Sequence, residues 1–379
     1  MGETLENHAA RVLKSVRGDL PADAALRGYL VGRTTLGAIG KRSVSRAVFV
    51  YYRWRAWLDP KKSLQSQVVD ALAQQSRFDR DPASVKTEAL AARAVPQWLA
   101  SEYALSAGFL RQLQGDPILW IRARRSTAAA VARELGSCTR PAFPATIAAP
   151  AELAAWRYAG TSDLFKTPGF RAGAFEIQDL SSQLVGHACA PKPGETWWDA
   201  CAGEGGKALH LSDLMDNKGL LWVSDRSARR LDQLRKRAAR AGVFNYRAAP
   251  WSGRGPAPFR TPCDGVLVDA PCSGVGTWQR NPHARWTTQL SDVQELALVQ
   301  RELLERAAGS VKVGGRLVYA VCTQTRSETA AVADAFESAH PGFEPAALPI
   351  AAGGAARLLL EPQDIHANGM FVASWRRAR

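Results

Sequence analysis

From Phe175 to the C-terminus, short apolar runs rich in valine and tryptophan alternate with longer helical stretches, and that alternation leaves few architectures open. Thr196–Asp199, Leu220–Ser224, Asn245–Arg247, Val266–Asp269, Leu317–Ala320 and Met370–Ser374 are short, β-prone and bounded by turn residues, so they read as strands. The intervening segments are long enough for helices. One has a capping box, Ser291-Asp-Val-Gln294, ahead of Leu296, Val299, Leu303 and Ala307, with Gly309 as its stop. Strands alternating with helices predict a doubly wound α/β sheet over residues 177–379. In such a sheet, ligands bind beyond the carboxyl ends of the strands.

The rest of the chain reads differently. Residues 1 to about 80 are helical in pattern, with Leu13, Val16 and Leu20, then Ala24, Leu26, Tyr29 and Leu30 at helix-like spacing, and Pro21 where a new helix begins. Val44 to Leu58 interleaves arginine with aromatics, a composition that suits either a helix core or contact with RNA. Between about 90 and 176 a strand candidate (Ile118–Arg122), a helix (Ser126–Leu135) and a Pro/Ala-rich connection (Pro141–Pro150) predict a small α+β module. The expected division is therefore 1–88, all-α; 89–176, small α+β; and 177–379, the α/β domain.

Lys and Arg number 49 against 35 Asp and Glu, a net charge of +14. That excess favours a polyanionic partner, through phosphate neutralisation and counterion release. The six cysteines are dispersed and form no C-x-x-C pair, which argues against a zinc site or a disulfide framework. The N-terminal stretch Met-Gly-Glu-Thr-Leu-Glu-Asn-His is acidic and lacks the apolar core of a secretory signal. No run of membrane-spanning length is present. A cytoplasmic protein without metal or membrane partner is the expectation.

Two sequence elements carry chemistry. In Asp199-Ala-Cys201-Ala202-Gly203-Glu204-Gly205-Gly206-Lys207, a glycine-rich turn joins a strand to a helix, and Asp225 ends the next strand, placed to accept hydrogen bonds from a ribose diol. Neither the dinucleotide fingerprint nor the phosphate-cradling loop is met, so S-adenosylmethionine fits better than a dinucleotide. That also disfavours a nicotinamide oxidoreductase. The second element is a pair of cysteines, in Asp269-Ala-Pro-Cys272-Ser-Gly274 and Tyr319-Ala-Val-Cys322-Thr323, each just after a strand and each followed by Ser or Thr. Carbon 5 of a pyrimidine is too poor a nucleophile to take a methyl from a sulfonium directly. A thiolate added at carbon 6 makes it competent, after which the carbon 5 proton must be removed to expel the enzyme. One nucleophilic thiol, a basic group and an acid on the cytosine edge meet that need, and Cys322, Cys272 and Asp269 can supply them.

With Cys322-Thr323, Asp225 and the Asp199–Lys207 loop, the element Asp269-Ala-Pro-Cys-Ser-Gly274 resembles the NOL/NOP/Sun family of RNA (cytosine-5) methyltransferases, over about residues 105 to 379. Residues 20 to 58 resemble, more weakly, the helical antitermination-factor-like domain of bacterial Sun-type 16S rRNA enzymes. The resemblance implies a Rossmann-like methyltransferase domain with a mostly parallel seven-stranded sheet, an RNA-binding helical domain and an RNA-recognition-like module between them. It implies S-adenosyl-L-methionine as donor, Cys322 as nucleophile and Cys272 as the residue assisting release. By the same resemblance Asp225 binds ribose, Asp269 touches base and cofactor, and Lys207 borders the methionine and base pockets. Arg230 matches the family pattern, and a monomer is the family expectation. The basic segment Gln279-Arg280-Asn281-Pro-His283-Ala-Arg285-Trp286 resembles the family's substrate segment: Arg280 and Arg285 would neutralise phosphates, with Asn281 beside them, and His283 or Trp286 would stack an unpaired base.

The chain departs from the family at several points. Gly203-Glu204 replaces Ala-Pro, which sets a carboxylate near the donor's own carboxylate and should weaken binding unless Glu204 points away or pairs with Lys207. Arg247-Ala-Ala-Pro-Trp251 lacks the acid expected near adenine. Val321 and Thr329 replace a threonine and an asparagine, while Glu328 is kept. Two alternatives stand beside a 16S rRNA enzyme: a catalytically weak or silent RNA-binding assembly factor, and a tRNA cytosine-5 methyltransferase.

Overall fold

The computed structural model describes residues 3–33 and 36–379, so Met1 and Gly2 of the N-terminal stretch lie outside the described residues. It forms two compact units. One contains the residues up to Pro117 together with Thr277–Gln289; the other contains Ile118–Gly276 and Leu290–Arg379. This division is not the one drawn at 88 and 176. Residues 89–117 pack with the helical unit, and the small sheet belongs to the same unit as the large one.

The first unit is built on helices Leu5–Ser15, Ala22–Val31, Ala38–Trp54 and Leu64–Arg80. Thr4 and Ser63 cap two of them, their hydroxyls accepting from the Asn7 and Ser66 amides. Pro21 directly precedes the second, where its fixed φ suits a helix start. Val44, Val48 and Tyr52 recur every four residues on Ala38–Trp54 and are buried against Ala9, Val12 and Leu26. The apolar part of the Val44–Leu58 stretch is therefore core. Arg53 is buried too, its Nη1 donating to Gln75 Oε1 and Asp116 Oδ1, both at 2.8 Å.

The second unit holds two sheets among the described residues. Strands β1 (Leu119–Ala123), β2 (Cys138–Thr139), β3 (Ala155–Tyr158) and β4 (Phe175–Ile177) form an antiparallel sheet in the order 2-3-1-4. The large sheet comprises β5 (Thr196–Asp199), β6 (Leu220–Val223), β7 (Tyr246–Ala248), β8 (Cys263–Asp269), β9 (Val311–Val321), β10 (Phe343–Pro345), β11 (Arg357–Leu360) and β12 (Met370–Arg377). Its order is 10-12-9-8-5-6-7, with β11 also paired to β12. The five strands from β7 to β9 run parallel, and β12 runs antiparallel to β9. The sheet thus has eight strands rather than seven. All six expected strands are present, Thr196–Asp199 with the expected bounds and the other five with one or both ends shifted; the helix bearing Ser291 already begins at Leu290, so Ser291 lies inside it rather than capping it.

Side-chain alternation explains why both faces are covered. Trp197, Leu267, Val318, Ala320 and Val372 face one core; Trp198, Val266, Val268, Leu317, Tyr319 and Phe371 face the other. Strands buried on both faces read as near-continuous apolar runs. No described helix is long and apolar enough to cross a membrane.

Candidate active site

Parallel pairing of β8 with β9, Asp269 beside Ala320, brings their carboxyl ends level. The loops that follow carry Cys272 and Cys322, whose Sγ atoms lie 3.2 Å apart. The Cys322 carbonyl accepts from the Gly276 amide at 3.1 Å, tying one loop to the other. The two thiols are not equivalent. The hydrogen bond with Cys322, then burial, then the charges of Cys322 and Glu328 push the Cys272 thiol well above the ordinary range. Cys272 is therefore the thiol that holds its proton tightly, and Cys322 is the sulfur left for the nucleophile's role.

The other buried cysteines are inert by comparison. Burial, reinforced by neighbouring carboxylates, raises Cys189 and Cys201, and it lifts Cys263 to about 12. Cys201, expected at the donor, lies in the glycine turn as a protonated thiol that can act there only by packing.

Lys207 opens the helix Gly206–Leu214, and its Nζ donates to Asp269 Oδ2 at 2.7 Å. Burial works against its charge, yet Asp269, and then Cys322 and Asp199, hold its pKa above the usual lysine value. It is a fixed ammonium beside the nucleophile. Asp199, fully buried at the end of β5, was quoted in the sequence only as part of the loop. Burial, helped by Asp269, pushes its carboxyl up to about 8, although Lys207 and the Cys201 amide pull the other way. Neither of its oxygens has a well-formed hydrogen bond. A buried carboxylate left short of partners suits a ligand that brings its own cation.

The turn itself is shaped to approach a ligand. Gly203 and Gly205 have φ of +55° and +88°, and a Cβ on Gly203 would meet the Arg230 guanidinium at 2.7 Å. Ala202 and Gly206 complete the turn. Asp225 is buried after β6; its Oδ2 accepts from the Gly203 amide at 3.0 Å and from Arg230 at 3.2 Å, and its Oδ1 from the Ser227 amide at 2.8 Å. Arg230 thus acts on this carboxylate. Glu204 is exposed, its side chain away from the turn's buried face, and its carbonyl accepts from Arg237. Lys207 pairs with Asp269 instead. Trp251, in the stretch that lacks an acid, packs edge-on against Trp198. A buried acid short of hydrogen bonds, a second acid fixed by three donors, and a glycine turn fit a cofactor with a cationic group and a diol.

The segment expected to meet RNA folds into the helical unit. Arg280 is exposed and Asn281 half-buried. Arg285 is fully buried: Nη1 donates to the Ala94 carbonyl and Nη2 to that of Leu113, both at 2.9 Å, and burial lowers its pKa to about 9. Its guanidinium is committed to backbone carbonyls, so it is not a phosphate contact in this structure. Trp286 donates Nε1–H to the Tyr52 carbonyl at 2.6 Å, and His283 meets the Tyr52 ring edge-on. Both line a groove of about 650 Å³ with Tyr51, Arg55 and Arg17. Truncation of Arg285 to alanine should destabilise the protein by about 3 kcal/mol in urea unfolding, because two buried carbonyls lose charged donors. Arg280→Ala should leave the midpoint unchanged.

Known proteins share this fold and parts of this sequence. The crystal structure of PH0851 superposes with a TM-score of 0.78 over 99% of both chains at 22% identity, a likeness of fold. The probable ribosomal RNA small subunit methyltransferase B of Bacillus subtilis is 37% identical over 220 residues, 55% of this chain and 49% of that protein. The 28S rRNA (cytosine-C(5))-methyltransferase of Mus musculus is 37% identical over 172 residues, 44% of this chain and 22% of that one. The chain thus spans about half the length of the bacterial relative. The family model for the 16S rRNA methyltransferase RsmB/F matches residues 187–376, which takes in the glycine turn, Asp225 and both thiols. On that match, the chain belongs to the RsmB/F family.

Proposed function

We propose that this protein is an RNA (cytosine-5) methyltransferase acting on 16S rRNA with S-adenosyl-L-methionine as donor. The observation that carries the reading is the pair of thiols 3.2 Å apart beyond two adjacent parallel strands, together with the Lys207–Asp269 ion pair at 2.7 Å at the end of one of them. When bound, the donor supplies an electrophilic methyl group. Cys322 attacks carbon 6 of an unpaired cytosine while Asp269, held by Lys207, hydrogen-bonds the base edge. Carbon 5 then becomes nucleophilic toward the methyl. Once Cys322 is consumed as a thioether its charge is gone, and with it one of the causes that hold the proton on Cys272. Cys272 then gives up its own proton to solvent and, as a thiolate, takes the carbon 5 proton; the electrons of the carbon 5–hydrogen bond restore the double bond to carbon 6 and expel Cys322 as a thiolate.

Asp199 and Asp225 are the carboxylates offered to the donor's ammonium and ribose diol, with Ala202, Gly203, Gly205 and Gly206 forming the turn around it. A cytosine inside a helix cannot reach a thiol, so the target is a loop or an open assembly intermediate. Arg280, His283 and Trp286 are the RNA contacts retained from the basic segment. The preference for rRNA over tRNA rests on the helical unit and on the names of the relatives. The silent-binder alternative drew on the altered loop at Gly203-Glu204; the exposure of Glu204, which leaves its carboxylate to be solvated by water, weighs against it.

Calorimetry with S-adenosylmethionine tests the donor site. Asp225→Ala should weaken binding about tenfold or more, as expected for a lost buried hydrogen-bond acceptor, whereas Glu204→Ala should change it little. Equal affinities for wild type and Asp225→Ala would remove Asp225 from the site. Methyl transfer to 16S rRNA, with tRNA as the competing substrate, tests the reaction.

A further inference from the structure

Each of the two thiols is followed by a hydroxyl residue, Ser273 after Cys272 and Thr323 after Cys322, and the reaction as written has no use for either hydroxyl. Ser273 Oγ and Thr323 Oγ1 lie 3.0 Å apart. Both belong to a cluster closed around Glu328, which is fully buried. Glu328 Oε1 accepts from the Ser273 amide at 2.8 Å and from Gln300 Nε2 at 2.9 Å. Its Oε2 accepts from Thr325 Oγ1 at 2.8 Å and from the Ser273 hydroxyl. Gln300, on the helix Leu290–Ala308, also donates to the Pro271 carbonyl at 2.9 Å, and Tyr319 donates to the Glu328 carbonyl at 2.6 Å. One carboxylate therefore holds the Cys272 loop through Ser273 and the stretch after Cys322 through Thr325. Four donors converge on it.

We propose that Glu328 is a positioning residue, which clasps the two cysteine loops together through Ser273 and Thr325 and so sets the distance between the sulfurs. Ser273, after Cys272, is gripped by Glu328 directly; Thr323, after Cys322, joins the cluster through the Ser273 and Thr325 hydroxyls, at 3.0 and 3.3 Å. Electrostatics add a second consequence. The charge of Glu328 near Cys272 disfavours a second thiolate, acting alongside the stronger effects of the Cys322 hydrogen bond and burial. Its importance for turnover rests on the methyltransferase reading; its effect on the thiols does not.

The test uses the full chain without RNA. Diamide takes up two electrons and two protons as the two thiols become one disulfide, so the rate of Cys272–Cys322 cross-linking, read by peptide mass spectrometry, measures their spacing. Glu328→Ala and Ser273→Ala should slow cross-linking about tenfold, the scale of a small loss of alignment. Glu328→Gln, which keeps the shape, should stay near wild type. Charge is read separately, in a Cys322→Ala background. There, Glu328→Gln should lower the pH midpoint for iodoacetamide alkylation of Cys272 by about one unit, the size of effect expected from a neighbouring charge. Unchanged cross-linking in a folded Glu328→Ala or Ser273→Ala protein overturns the clasp. Should the alanine variants not fold, Thr325→Val, which removes one gripping hydroxyl and keeps the side-chain shape, takes their place, and unchanged cross-linking in that protein overturns the clasp. If both thiol readouts move as expected but wild type methylates no RNA, the functional reading fails and the clasp stands.

Discussion

Cys272→Ala protein incubated with 16S rRNA and S-adenosylmethionine should accumulate a covalent RNA–protein adduct, visible as a slow band on a denaturing gel. Turnover should fall by about 10³, within the range for loss of a general base. The reasoning follows the asymmetry of the thiols. Cys322 lies within electrostatic reach of the Lys207 ammonium, so it can attack without Cys272. What the variant lacks is the base that removes the carbon 5 proton, and without that step the sulfur–carbon bond at carbon 6 persists. Adding Cys322→Ala should abolish the adduct. A Cys272→Ala protein that turns over like wild type would mean that another group takes the proton.

The second large effect is expected at Lys207. Its ammonium is buried among Asp269, Asp199 and Cys322, and it makes a 2.7 Å contact to Asp269. Lys207→Met keeps the length of the side chain and removes the charge. Leaving a buried carboxylate unpaired typically costs about 3–5 kcal/mol; Asp269 is part-exposed here, so a loss of about 2–3 kcal/mol in urea unfolding is the expected result. Cys322 loses the positive charge of Lys207 as well. Its alkylation by iodoacetamide at neutral pH should slow about tenfold, equivalent to one unit of pKa. Unchanged alkylation would separate Lys207 from the nucleophile.

The features legible in the sequence were those carried by local pattern. Strand ends at Asp199 and Asp269, the glycine turn before Lys207 and the two cysteine loops each announce themselves within a few residues. The parallel register that places Asp269 beside Ala320 then follows from the α/β alternation. What stayed hidden depends on partners distant in the chain. Glu328 reads as one acid in a short segment, and its grip on Ser273, 55 residues away, appears only once the loops are folded. Asp199 was visible as the acid before the turn, but its lack of partners is a tertiary fact. Arg285 looked like a phosphate ligand because exposed and buried arginines are identical in sequence. Only the carbonyls of Ala94 and Leu113 reveal its place. Likewise the strands Phe343–Pro345 and Arg357–Leu360 are short edge pairings to β12, too weakly patterned to stand out.

The most direct measurement is to digest the adduct trapped by Cys272→Ala and identify the modified peptide by mass spectrometry. The account predicts a nucleotide linked through Cys322, carrying the donor's methyl group on its cytosine. A linkage through any other residue, or no adduct on an RNA that the wild-type protein methylates, would contradict it.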